Sequence, residues 1–162
     1  HSADGPAARP STVLFEAACS NDPVLRLAGV NRALEGLAID VFTQMKEFGQ
    51  LAGDPFLEFC EDWMLADEVT HVKMGSDWLR RVTENDPDRR AKALEFQQVV
   101  DKLFSFGGAR GESEESPIGL ARRFRELAGF TDDEVDTIAG MDHDALEERK
   151  AAVRLAQETA GV

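Results

Sequence analysis

The sequence predicts an all-α helical bundle, and three observations predict it. Apolar residues recur at helical spacing along most of the chain. Asn21-Asp22-Pro23, Gly53-Asp54-Pro55 and Asn85-Asp86-Pro87 cut that pattern into long segments. No stretch alternates with the two-residue period of a strand, and no solenoid repeat is present.

Taken in order, residues 1–10 are rich in Ala, Pro and Gly and read as a flexible arm. Residues 11–162 read as one helical domain, opening with a short helix between Ser11 and Ser20. Asp22 is a helix cap and Pro23 a first-turn residue, so a long helix should run from there to about Leu51. Its apolar positions are Leu27, Val30, Leu34, Leu37, Val41, Phe42, Met45 and Phe48. Gly53 suits the left-handed position past its end, and Asp54-Pro55 caps and begins the next helix. The two long helices should form a tight antiparallel hairpin.

The second helix should extend to about Thr83, with Leu57, Cys60, Met64, Leu65, Val72, Gly75 and Leu79 on one side. Pro87 starts a third helix to about Phe106, using Leu94, Val99, Val100, Leu103 and Phe104 as core positions. Hairpin and third helix together span 23–106, followed by an acidic, glycine-rich loop at 107–116 and short helices over 117–160. Pro117 begins the first of these and Gly129 ends it. Thr131 with Glu134 has the spacing of a capping box for the next, which ends near Gly140, and Asp144 with Glu147 opens the last.

The chain has 162 residues, with 31 acidic against 18 basic side chains and a formal net charge of −13. A surface this negative argues against binding to nucleic acid or to anionic membranes. Cys19 and Cys60 form neither a disulfide framework nor a zinc spacing, which fits a reducing, cytoplasmic setting. No apolar run reaches membrane-spanning length.

The chemistry concentrates in Ala66–Trp78, which holds Glu68-x-x-His71. On a helix these two side chains leave one face within a turn, the ligand spacing found in di-metal helical bundles. Such a motif needs a glutamate from a neighbouring helix, and Glu35 is the candidate. Glu35 lies 18 residues before Gly53 and Glu68 lies 14 after Asp54. Those counts are about 27 Å and about 21 Å of helix, and His71 is about 25 Å up, so the heights match to one turn. Glu35 is flanked at helical spacing by Ala28, Asn31, Ala38, Ile39 and Phe42, and Glu68 by Met64, Leu65 and Val72. A carboxylate in such company must be neutral, paired or bound to a cation. Glu61, two turns before Glu68, is a further candidate ligand or base. The plain alternative keeps His71 paired with Glu68, and Glu35 bonded to Asn31 or Arg32. Asp40 and Asp67 face elsewhere as outer or solvent groups; Trp63 and Trp78 read as packing residues, and His143 as an exposed neighbour of a cap.

Several of these motifs carry a resemblance. Leu34-Glu35-Gly36-Leu37-Ala38-Ile39-Asp40, Ala52-Gly53-Asp54, Asp67-Glu68-Val69-Thr70-His71-Val72 with Gly75 and Trp78, then Pro117–Arg122 and Ala128-Gly129-Phe130 occur in that order. They resemble the later half of ferritin-like proteins of the DUF455 family, over roughly residues 26–135. The resemblance implies a ferritin-like bundle with an iron, or mixed manganese–iron, carboxylate site and no organic cofactor. A complete site of this type needs two glutamates and two Glu-x-x-His motifs, and this chain supplies one of each. Either an earlier half of a longer protein provides the rest, in keeping with a sequence that opens on His1, or two copies pair as a homodimer. The functional expectation is a di-iron, oxygen-activating oxidoreductase with Glu35, Glu68, His71 and Glu61 at the metal. The alternatives are iron handling without turnover, or a helical dimerisation module with a vestigial site.

Overall fold

A computed structural model describes residues 18–106 and 120–140. The arm, most of the 11–20 helix, the acidic loop, the residues around Pro117, His143 and the last helix lie outside the described residues, as do the side chains of Leu103 and Phe104.

Every described element is helical. The first hairpin arm consists of α1 (Pro23–Arg26), a π-helical segment π1 (Leu27–Leu34) and α2 (Glu35–Ala52). The second arm is α3 (Pro55–Val82), followed by α4 (Pro87–Phe106) and α5 (Arg122–Leu127). A further helical stretch, α6, occupies 132–140. Among the described residues no helix is long and apolar enough to cross a membrane.

The punctuation works as its chemistry requires. Asp22 accepts the Val24 N–H at 2.9 Å, and Asp54 accepts those of Phe56 and Leu57 at 3.1 and 3.0 Å. Each satisfies donors that a helix start leaves open. Gly53 has φ 67°, the left-handed conformation that turns α2 into α3. Thr131 and Glu134 form the reciprocal capping box at the start of α6. The helix expected from Pro117 is described only from Arg122, and it ends at Gly129, with φ 88°.

π1 has no counterpart in the sequence expectation. It lies against both α3 and α4, and the approach to α3 is close. A Cβ added to Gly75 would stand 2.6 Å from the Asn31 Cβ. Only glycine lets the two arms come this near while keeping Asn31 in place.

Apolar burial falls into three clusters. Ile39, Leu65, Val72, Ala128, Phe130, Val135 and Ile138 join the hairpin to α5 and α6. Val24, Ala28, Leu79 and Ala93 join the hairpin's open end to α4, and Ala33 with Val100 bridges π1 and α4. Burial departs from expectation at several positions. Met45, Phe48 and Val99, expected in the core, are exposed, and so are Trp63 and Trp78, read as packing residues. Helical periodicity marks a residue as apolar-faced but cannot say whether this chain itself covers the face.

A buried polar layer crosses these clusters. The Arg32 guanidinium donates to Gln97 at 2.8 Å, to Ser76 at 2.7 Å and to Glu134 at 2.9 Å. Arg125 donates to both carboxylate oxygens of Asp40, at 2.6 Å for the shortest contact. Asp40 also accepts the Ala121 N–H at 2.9 Å. Phe130 lies between the two arginines, 4.2 Å from Arg32 and 5.2 Å from Arg125. Asp40 is therefore no solvent group: it is 1% exposed and ties α2 to the C-terminal segment. Arg32 likewise reaches α3, α4 and α6 rather than Glu35.

Candidate metal centre

Glu35 stands on the first arm of the hairpin and Glu68 with His71 on the second. Glu35 is the first residue after π1, held by a hydrogen bond from Asn31 Nδ2 to its Oε2 at 3.0 Å. Asn31 is also the residue that packs on Gly75, so the close arm-to-arm approach and the setting of Glu35 share one side chain. On α3, Glu68 Oε2 lies 3.5 Å from His71 Nδ1, and Asp67 Oδ1 lies 3.8 Å from His71 Nε2. The imidazole thus has a carboxylate beside each nitrogen.

Burial grades across the group. The Glu68 side chain is 18% exposed and that of His71 46%. Glu68 titrates above its ordinary range, first because burial penalises its charged form, then because the Glu35 carboxylate stands close; His71 opposes the rise. Two like charges in a half-buried setting are what a bound cation would relieve.

Glu61 is separate from this trio. It is half-buried on α3, and its Oε2 is enclosed without a hydrogen-bond partner. Seven residues separate it from Glu68, about 10 Å of helix, too far to share one metal ion with the Glu68–His71 turn. Glu95 on α4 is exposed.

Carboxylate and imidazole donors are the kind iron or manganese takes. Among the described residues, however, no three His, Cys, Asp or Glu side chains converge closely enough to hold a metal ion. The described donors of this chain do not close a centre among themselves. Periodicity and helix rise single out Glu35, Glu68 and His71 as candidates. They carried no signal for the Asp40–Arg125 pair, whose members are 85 residues apart on different helices.

No curated protein matches the chain. No solved structure matches it either. The family described as "Protein of unknown function (DUF455)" matches residues 11–136, which span the hairpin, the polar layer and the candidate centre alike. The chain belongs to the DUF455 family.

Proposed function

We propose that this is a ferritin-like metal–carboxylate protein, with iron as the leading metal and manganese–iron the variant, that carries half of a dinuclear site and activates oxygen as an oxidoreductase. The observation that carries the reading is the Glu68–His71 turn on α3, its Oε2 and Nδ1 3.5 Å apart, with the Glu35 carboxylate among the charges that raise Glu68's titration. Glu35 and Glu68 would supply oxygen ligands and His71 an imidazole nitrogen. A dinuclear iron pair, when bound, supplies open positions for dioxygen.

The chain's own residues have definable parts in this. Asn31 orients the Glu35 carboxylate by its hydrogen bond. Glu68, whose proton is held more tightly than usual, must release it before ligating, so loading the site releases protons and weakens as pH falls. The wide spacing of donors in the single chain favours a second reading, a helical dimerisation module whose site is vestigial. The two free cysteines suit the cytoplasm for either.

Metal analysis of protein purified without chelator separates them. About one iron per chain, lost in Glu68→Ala and His71→Ala, is expected. Full metal content in both variants would refute the ligand assignment, and no metal at all would leave the dimerisation module. Oxygen uptake on adding ferrous iron then tests the oxidoreductase step.

A further inference from the structure

The solvent side of α3 carries a pattern the candidate centre does not use. Phe56, Phe59 and Trp63 stand exposed on its first half, with Phe56 the most open at 76%. Met74, Trp78 and Arg81 stand exposed on its second half, and Asp67 and Thr70 between them. These positions advance by steps of 3, 4, 4, 3, 4, 4 and 3, which keeps them on one side of a straight helix. The order of steps reads the same in both directions. Its midpoint falls between Glu68 and Val69, inside the Glu68–His71 turn.

The two halves differ in shape. The second half is a surface groove of about 450 Å³ walled by Thr70, Lys73, Met74, Asp77, Trp78 and Arg81. The first half projects three aromatic side chains. We propose that the occupant of this face is a second copy of the chain, its α3 antiparallel to the first and the two-fold axis at the height of Glu68 and His71. The aromatics of each copy fill the groove of the other: Trp63 meets Met74, Phe59 meets Trp78, and Phe56 meets Arg81 as a cation–π contact. Asp67 falls opposite Thr70, so no like charges oppose each other along the seam despite the net charge of −13.

The exposed aromatic and aliphatic side chains of the stripe offer roughly 600 Å² per chain, the lower end of a specific interface. The two Glu68–His71 turns arrive at one height, while Glu68 itself keeps to the buried side of α3 with Leu65 and Val72, so the pairing stands apart from the dinuclear reading.

Sedimentation equilibrium and pulsed electron resonance distances test it, with one spin label per chain in a Cys19→Ser, Cys60→Ser background. The expected result is a mass twice 17.8 kDa. Labels at position 70 should lie within roughly 20 Å of each other and labels at position 81 roughly 40 Å apart, as antiparallel helices require. Trp63→Glu should give monomers, while Leu127→Glu, an exposed apolar position elsewhere, should not. A wild type of 17.8 kDa overturns the pairing and leaves the face to a helix of another protein. Labels at 81 as close as those at 70 overturn it too, since that is a parallel arrangement. A dimer with the expected distances but no iron upholds the pairing and retires the metal reading; an iron-loaded monomer does the reverse.

Discussion

Replacing Asp40 with alanine should destabilise this protein more than any surface change, and the structure sets the size. Asp40 and Arg125 have side chains 1% and 2% exposed. The carboxylate accepts from Arg125 Nε and Nη2 and from the Ala121 amide. Its removal takes away the charge that holds a buried guanidinium, which costs about 3–5 kcal/mol. Against the 5–15 kcal/mol that typically separates folded from unfolded chains, that is a large share. Urea titration followed by far-ultraviolet circular dichroism reads it as a lower midpoint at unchanged slope. Hydrogen exchange should show α5 opening before the hairpin, because Asp40 is the buried ionic tie between them. Arg125→Met in the Asp40→Ala background should recover part of the loss, since an apolar pair replaces a broken ionic one. Salt should change little, the pair being out of reach of ions. A loss under about 1 kcal/mol for Asp40→Ala, or strict additivity with Arg125→Met, would refute the argument.

Three other outcomes follow from the same geometry. Gly75→Ala gains about 1 kcal/mol of helix propensity but drives a Cβ against Asn31, so a net loss of about 1–2 kcal/mol is expected in urea titration, with weaker iron uptake because Asn31 holds Glu35. Asp101 is pushed up to about 6 by burial, with Arg125 and Arg32 only partly opposing. The folded state therefore binds its proton more tightly than the unfolded chain, and this group's contribution is complete below about pH 4 and lost as pH rises to about 6. Asp101→Asn should gain up to about 3 kcal/mol over wild type at pH 7 and nothing at pH 4, by thermal unfolding at the two pH values. Iron affinity measured by competition with a chelator should weaken as pH falls, and Glu68→Gln should lose affinity at every pH; equal binding by wild type and variant would remove Glu68 from the site.

The hairpin and third helix were legible because their boundaries rest on local chemistry. Asp22, Asp54 and Gly53 act on residues within one turn, and a linear reading sees all of that. Glu35 and Glu68 were legible as candidates for a related reason: a tight hairpin converts residue counts into heights. Asp40–Arg125 and the Arg32 layer depend on how α5 and α6 fold back, which no local pattern encodes. The exposed aromatics failed for the opposite reason. Phe48, Trp63 and Trp78 keep perfect helical phase, and phase does not distinguish a face covered by the same chain from one left open. Winding was invisible as well, since the residues of π1 carry no composition that α-helix forbids.

That winding has a bearing on what changes the gene can survive. In π1 each turn takes in more residues than an α-helix would, so the stretch behind Glu35 is locked in rotation against the stretch ahead of it. Losing one codon here, other than that of Asn31 or Arg32, would let the stretch close as ordinary α-helix with one residue fewer, leaving Val24 toward Leu79 and Glu35 toward the hairpin nearly as before. The same loss in α2 or α3 would turn everything beyond it by about 100°. What this segment cannot spare is Arg32 and Asn31, which hold the polar layer and Glu35.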